Sequence, residues 1–186
     1  MLNLCIMKKI KFTPFPVIAT ERLILRQLSY TDELAVFLLR TNESVNKYIE
    51  RYTIENNNDA RAFIERIDKG VKENQFVFWA ISLKEKQNLI GTISLWNFSE
   101  DKSTGELGYE MNPVFQGKGF MDEAVKAVLD YGFNSLDFKR IEAFTHYNNE
   151  RSKSLLKKNG FHLEVGMKDE GNANTIVYAL ETEIKQ

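Results

Sequence analysis

The residues with the clearest chemical use are Gln116-Gly117-Lys118-Gly119-Phe120-Met121. A strand-like run, Glu106 to Met111, precedes them, and an amphipathic stretch from Asp122 to about Phe133 follows. Strand, glycine loop and helix N-terminus in that order make a cradle for a phosphate-bearing cofactor. Loop N–H groups point inward, and the helix dipole favours negative charge there. Gly117 and Gly119 let the backbone approach closely, and Lys118 can add charge beside the phosphates. The plainer alternative is a tight turn with a solvated lysine. Other reactive side chains are sparse. His146 and His162 stand apart without an evident partner, and no His/Cys/Asp group has metal-ligand spacing, so no metal is expected. Cys5 is the single cysteine; it excludes an internal disulfide, suits a reducing compartment and carries no catalytic role.

The chain that must position these residues has 186 amino acids, the size of one domain with one sizeable core. Its hydrophobic content of 43% and charged content of 27% are those of an ordinary globular protein. A net charge of −1, with no basic tail or stripe, argues against nucleic acid as the partner. No segment approaches the roughly 20 apolar residues of a membrane span. Met1 to Ile6 is too short for a secretory signal, and Lys8-Lys9 follows the apolar part instead of preceding it. Met7 would serve as a start as well as Met1. The expectation is a cytoplasmic enzyme, monomer or homodimer, with an N-terminal extension over 1–19 and the folded domain over 20–182.

Pro14 and Pro16 keep the opening irregular. Glu21 to Leu28 alternates as a strand, and Ser29 to Asp32 has capping-box spacing for a helix through about Arg40. A short polar helix follows around Ser44 to Tyr48. The Asn56-Asn57-Asn58 run caps a helix over Asp59 to Lys72, with Phe63, Ile64, Ile67 and Val71 on one face. Phe76–Leu83 and Leu89–Phe98 read as a hairpin, its aromatics (Phe76, Phe78, Trp79, Trp96, Phe98) forming core, or bordering a groove in the case of Trp96 to Phe98. Strands over Glu106–Met111, Arg140–Thr145, Phe161–Met167 and Thr175–Leu180, and a helix over Asn149–Lys158 capped by Gly160, complete the order. The class is α/β: a mixed sheet of six to seven strands, antiparallel in its first half, with flanking helices.

This order and two motifs resemble the GNAT superfamily of N-acetyltransferases, and in detail its Rim-type branch, the ribosomal-protein N-terminal acetyltransferases and their relatives. The first motif is Gln116 to Met121, with Met121 where most of the superfamily has a small residue, followed by Glu123-Ala124. The second is Asn149-x-x-Ser152 with Gly160-Phe161 at the family's distance; Tyr131-Gly132-Phe133 and Lys139 to Ala143 add to it. The resemblance runs from about Thr20 to Leu180.

The resemblance implies acetyl-CoA as co-substrate and an amine as acceptor. Gln116, Gly117, Lys118, Gly119, Phe120 and Met121 would hold the pyrophosphate. The strand carrying Tyr109 and Met111 would bond pantetheine by splaying away from Arg140–Thr145. By alternation Leu107, Tyr109 and Met111 share one face and Glu106, Gly108 and Glu110 the other, unless a bulge shifts the phase. The amine must lose a proton to attack the thioester, and Glu106 and Glu110 are the candidate bases; the bland alternative is two solvated carboxylates. Many GNAT enzymes place a tyrosine acid seven residues after the helix asparagine. Leu156 stands there, and Ser152 is the natural replacement, unless it only bonds its own helix. Asn149 would bond pantetheine, or cap the helix alone. Transfer would be direct, with no acyl-enzyme. The acceptor is a protein N-terminal α-amine, or a small amine such as an amino acid, polyamine or aminoglycoside; the remaining reading is an acyl-CoA-binding module without turnover.

Overall fold

The alternating runs become the centre of a sheet. The computed structural model describes residues 10–167, 169 and 171–182; Cys5, the alternative starts and Lys8-Lys9 lie outside them. The strands are β1 (Ile18–Ala19), β2 (Leu23–Gln27), β3 (Val77–Leu83), β4 (Leu89–Trp96), β5 (Thr104–Met111), β6 (Arg140–His146), β7 (His162–Leu163) and β8 (Thr175–Glu181). They lie in the order β1-β2-β3-β4-β5-β6-β8-β7. Among the described residues only β5 and β6 are parallel neighbours, joined through a helical crossover. The helices are α1 (Glu33–Thr41), α2 (Glu43–Asn46), α3 (Asn57–Lys72), α4 (Phe120–Asp130) and α5 (Glu150–Lys158). The mixed α/β sheet is the expected class. Its strand count rises to eight because Ile18–Ala19 adds a short edge. The strand expected over Phe161–Met167 shrinks to His162–Leu163; the chain then turns away through Gly166, whose φ is 96°.

Pleating sorts the side chains onto two faces. One face carries Leu23, Leu25, Trp79, Ile81, Ile93, Leu95, Leu107, Met111, Ile141 and Ala143, packed under Ala124, Val125 and Val128 of α4 and Leu156 of α5. Each fully buried Val or Leu there contributes about 1.5–3 kcal/mol. Phe12 is buried in this cluster, and Trp79 Nε1 donates to the Pro16 carbonyl at 2.6 Å, so residues 10–19 pack on the same face. The opposite face carries Ala80 and Phe78 under α1 and α3.

Local chemistry sets the helix ends. The Ser29–Asp32 capping box forms, but it opens a single 3-10 turn, Tyr30–Asp32, before α1. Asn56 caps α3 by accepting from the N–H groups of Asn58 and Asp59. α4 starts at Phe120, two residues before the expected Asp122, because Gly119 takes a left-handed conformation (φ 78°) that ends the loop there. It runs into one π-helical turn, Tyr131–Ser135.

β4 and β5 keep unbroken register from Gly91↔Met111 to Trp96↔Glu106. The irregularity lies between β3 and β4, at Ile81/Ser82, so the phase of β5 is the expected one. Gly91 fixes how closely the two strands approach: a Cβ there would lie 2.6 Å from the Glu110 carbonyl oxygen and 3.1 Å from Met111 Cα. Backbone cannot swing aside as a side chain can. Gly91→Ala should therefore destabilise the fold by about 1–3 kcal/mol, read from urea midpoints at unchanged m-value.

Candidate active site

β5 and β6 are paired at Thr104↔Arg140, Gly105↔Ile141 and Glu106↔Glu142, and then part. Past that point β5 stays bound to β4 through Met111, and β6 stays bound to β8 through His146. The result is a wedge inside the sheet, into which alternate backbone N–H and C=O groups of Leu107 to Met111 point. At its wide end Gln116 Nε2 donates to the Met111 carbonyl at 2.8 Å, and Arg151 Nη1 donates to Gln116 Oε1 at 2.7 Å. Gln116 thus ties the end of β5 to the start of α5.

The glycine loop opens next to this end. The N–H groups of Gly117, Lys118, Gly119, Phe120 and Met121 have no acceptor among the described residues. Asp122 and Glu123 sit in the first turn of α4, where an anion-binding site would not want them, and both are neutralised. Burial disfavours the Asp122 charge, but hydrogen bonds from Lys158, Lys126 and Asn159 hold its carboxyl down to about 2. Glu123 accepts from Arg22 Nε at 2.6 Å, Arg22 N at 2.8 Å and Thr20 Oγ1 at 2.5 Å. The Arg22 guanidinium also donates to the Lys118 carbonyl at 3.0 Å and lies over the Phe120 ring. Arg22 clamps the loop from β2. The sequence reading missed it because the two partners are about a hundred positions apart. Lys118 is exposed, its ammonium over the Phe115 ring.

Glu106 and Glu110 share a face, as alternation requires, but not a fate. Glu110 has a nearly buried side chain. It accepts from Arg51 Nη1 and, at 3.3 Å, from Thr92 Oγ1, with Arg40 Nη1 at 3.6 Å. Asn46 holds Arg51 by accepting from its Nε at 2.9 Å. Among the described residues Glu106 has one hydrogen-bond partner, Asn97 Nδ2 at 3.3 Å. Burial pushes its carboxyl up to about 7; the Asn97 bond opposes this, and the nearby charges of Glu142 and Asp169 add to it. Between the two, Gly108 leaves room for its neighbours: a Cβ there would lie 3.0 Å from Ser94 Oγ and 3.4 Å from the Trp96 indole nitrogen. Trp96 is therefore not hairpin core; it stands half-exposed beside Glu106, its strand partner.

The other face carries the hydroxyls. Asn149 caps α5 by accepting from the Ser152 N–H at 3.2 Å. Ser152 is buried, and its Oγ lies 2.8 Å from the Tyr109 hydroxyl. Burial pushes the Tyr109 hydroxyl up to about 12 against the Ser152 hydrogen bond, so it stays protonated. Leu156 is fully buried in the core. The two histidines do have neighbours. His146 stacks on Tyr147 and lies 5.2 Å from the Tyr48 ring, and its Nδ1 accepts from the Asn148 N–H. His162 joins Glu164 and Glu181 in a group the linear spacing hides. Arg140 already pairs with both carboxylates, so the group is an ion-pair cluster.

A wedge between parallel strands, a loop of free N–H groups at its mouth, and a carboxylate and hydroxyls on opposite faces of one strand form the frame of a thioester-dependent acyl transferase. The model of the acetyltransferase (GNAT) domain matches residues 22–162. The chain belongs to the GNAT acetyltransferase family. It is 34% identical over 150 residues to the N-acetyltransferase YoaA of Bacillus subtilis strain 168, covering 81% of this chain and 85% of the relative. A GNAT-family acetyltransferase of Bacillus anthracis superposes with a TM-score of 0.76 at 25% identity, covering 89% of this chain and 98% of that one. RimL, a ribosomal L7/L12 α-N-protein acetyltransferase in complex with coenzyme A, shares the fold with a TM-score of 0.77 at 18% identity over 89% of this chain and 98% of its own. Two Escherichia coli K12 relatives carry named acceptors. The ribosomal-protein-serine acetyltransferase is 29% identical over 80 residues, 43% of this chain and 45% of the relative. Spermidine N(1)-acetyltransferase is 28% identical over 146 residues, 75% of this chain and 73% of the relative.

Acetyl-CoA is the co-substrate of this GNAT enzyme. The wedge, the Gly117–Met121 N–H groups, Gln116 and Lys118 are the groups available to hold it. Gly119→Asp adds bulk and negative charge at a left-handed position and should abolish acetyl-CoA binding in calorimetry. Lys118→Ala removes one exposed charge and should weaken binding only a few-fold.

Proposed function

We propose that this enzyme transfers the acetyl group directly to a primary amine held on the Glu106 face, with a protein N-terminal α-amine as the acceptor. The observation that carries the mechanism is the placement of a carboxyl tuned to about 7 and a protonated hydroxyl pair on opposite faces of one strand. An α-amine has a pKa near 8 and is largely protonated at neutral pH. Glu106, half ionised near pH 7, takes its proton. The amine nitrogen then bonds the thioester carbonyl carbon, the carbon–sulfur bond breaks and CoA leaves as the thiolate. Tyr109 at about 12 is a weaker acid than an ordinary thiol at about 8.5. The Tyr109–Ser152 pair therefore stabilises the departing sulfur by hydrogen bonding and does not surrender its proton outright. Glu110, neutralised by Arg51 and Arg40, shapes the acceptor side and is not the base.

The N-terminal acceptor is supported by the Rim-type motifs and by the named acceptor of the ribosomal-protein-serine relative. A small polyamine is the second reading, favoured by the spermidine relative and by the carboxylates of Glu106, Glu142 and Asp169 around the amine position. Mass spectrometry of a peptide library incubated beside polyamines and aminoglycosides decides between them. Acetylation of peptide α-nitrogens with lysine side chains untouched supports the first; turnover confined to small amines supports the second.

Glu106 also predicts a pH profile. Its raised pKa makes the active, ionised form appear as pH climbs through about 7, so kcat/KM should rise there, with a second limb from the amine near 8. Glu106→Gln should cut the rate at pH 7 by about 10²-fold, erase the lower limb, and fall less far behind above pH 9, where the amine is already neutral. Stability moves the other way: the folded state holds the Glu106 proton between 4.5 and about 7, so ionisation costs stability as pH rises, and the glutamine variant should lose that slope. Ser152→Ala should lower kcat more than it raises KM, because the hydroxyl pair acts in the transition state.

A further inference from the structure

The acceptor face holds more positive charge than the proposed reaction uses. Arg40, at the end of α1, has a nearly buried side chain and makes no hydrogen bond through its guanidinium among the described residues; its nearest carboxylate oxygen is Glu110 Oε1, 3.6 Å away. The guanidinium lies over the Phe63 ring at 4.1 Å, and Arg66 approaches the same ring at 5.5 Å with no ion pair or hydrogen bond among the described residues. Arg51 is already spent on Glu110 and Asn46. Burial lowers Arg40 to about 10 against the pull of Glu110, and the like charges of Arg51 and Arg66 lower it further. Arg40 and Arg51 thus share one buried carboxylate, and Arg66 adds a third positive charge near Arg40. Arg40 and Arg66 also line a cavity of about 100 Å³ with Tyr52, Ile54, Phe63 and Asp59. Asp59 does not answer their charge: its Oδ2 accepts from the N–H groups of Glu55 and Asn56 and from Asn56 Nδ2. The cavity has room for a group of a few water volumes.

We propose that Arg40 and Arg66 form a subsite for a carboxylate carried by the acceptor, remote from its reacting amine. This rests on the placement of the amine at Glu106. Glu106 and Glu110 are four residues apart on one strand, about 13 Å at roughly 3.3 Å per residue, and Arg40 lies beside Glu110. The carboxylate must therefore stand on the order of 10 Å from the amine by the same spacing. The α-carboxylate of a free amino acid is too close. An acidic side chain at the second or third position of a peptide fits, as does an extended ω-amino carboxylate. Guanidinium pairs suit such a group because their forked donors match carboxylate oxygens.

The test measures kcat/KM for two acceptor pairs that differ only in the anion: a peptide beginning Ser-Asp against Ser-Asn, and 6-aminohexanoate against hexylamine. The acidic member of one pair should be favoured about tenfold or more, and the pair that responds identifies the source of the carboxylate. Arg66→Gln, at an exposed position that the fold tolerates, and Arg40→Lys should both shrink that ratio severalfold. Equal rates within both pairs, or a ratio unchanged in both variants, overturn the subsite while leaving amine acetylation standing. Absence of turnover with every amine overturns the acceptor assignment and this subsite together.

Discussion

A buried backbone N–H or C=O left without a partner costs about 1–3 kcal/mol, so parallel neighbours ordinarily stay paired along their length. β5 and β6 pair at three positions and separate. Everything around the wedge makes that separation tolerable without closing it. β4 binds the outer edge of β5 and β8 the outer edge of β6, so each strand is held straight from its far side. Gln116 satisfies the last carbonyl of β5. The Tyr109–Ser152 contact fastens the middle of β5 to α5, and the stack of Tyr48, His146 and Tyr147 holds the end of β6. The remaining donors and acceptors are the kind that a chain of amides, as in acetyl-CoA, would be proposed to meet in the way a strand does.

The two glutamates of β5 show how one residue type can be given two different environments. They lie on one face, four residues apart, and their intrinsic acidities are equal. Glu110 receives a guanidinium hydrogen bond, a second guanidinium nearby and a threonine hydroxyl. Glu106 loses its hydration to burial, gains one weak amide bond and faces two like charges. A base needs a pKa near the working pH, and burial brings Glu106 to about 7, which is why it is the base proposed. The same logic runs in reverse at the N-terminus of α4, where Arg22, Lys126, Lys158 and Asn159 cancel two carboxylates next to the cofactor loop.

The features legible in the sequence are those that repeat or that depend on local geometry. Alternation placed the hairpin and β5, and it separated Glu106, Gly108 and Glu110 from Leu107, Tyr109 and Met111. Glycine and asparagine chemistry marked Gly119, Asn149, Gly160 and Asn56. The illegible features are pairings across long separations. Arg22 reaches Glu123 across 101 positions, and Arg51 reaches Glu110 across 59. For Trp96 the sequence left core and groove border both open; its indole is held out beside Gly108 on the polar face, as the second reading had it. His146 and His162 looked isolated because their neighbours arrive from other strands and loops. The strand over Phe161–Met167 was overextended because an edge strand with one neighbour can end wherever its turn residues allow.

Pleating has a further consequence for the proposed reaction. Successive residues of β5 point to opposite faces, so Glu106 and Tyr109, three apart, cannot share one. An amine approaching from the Glu106 face meets the thioester from one side, while sulfur departs toward Tyr109 and Ser152 on the other. Proton removal and leaving-group stabilisation are then handled by groups that never compete for the same space. The acceptor face is also free to vary without disturbing cofactor chemistry, since its walls come from the α1–α3 region and the Trp96–Asn97 end of β4, whereas the cofactor loop belongs to α4. Arg51 and Arg40 come from that proposed acceptor side and pair with the sheet at Glu110. A change of acceptor in this fold would therefore alter the residues around Glu110 and leave Gly117 to Met121, Asn149 and Ser152 in place.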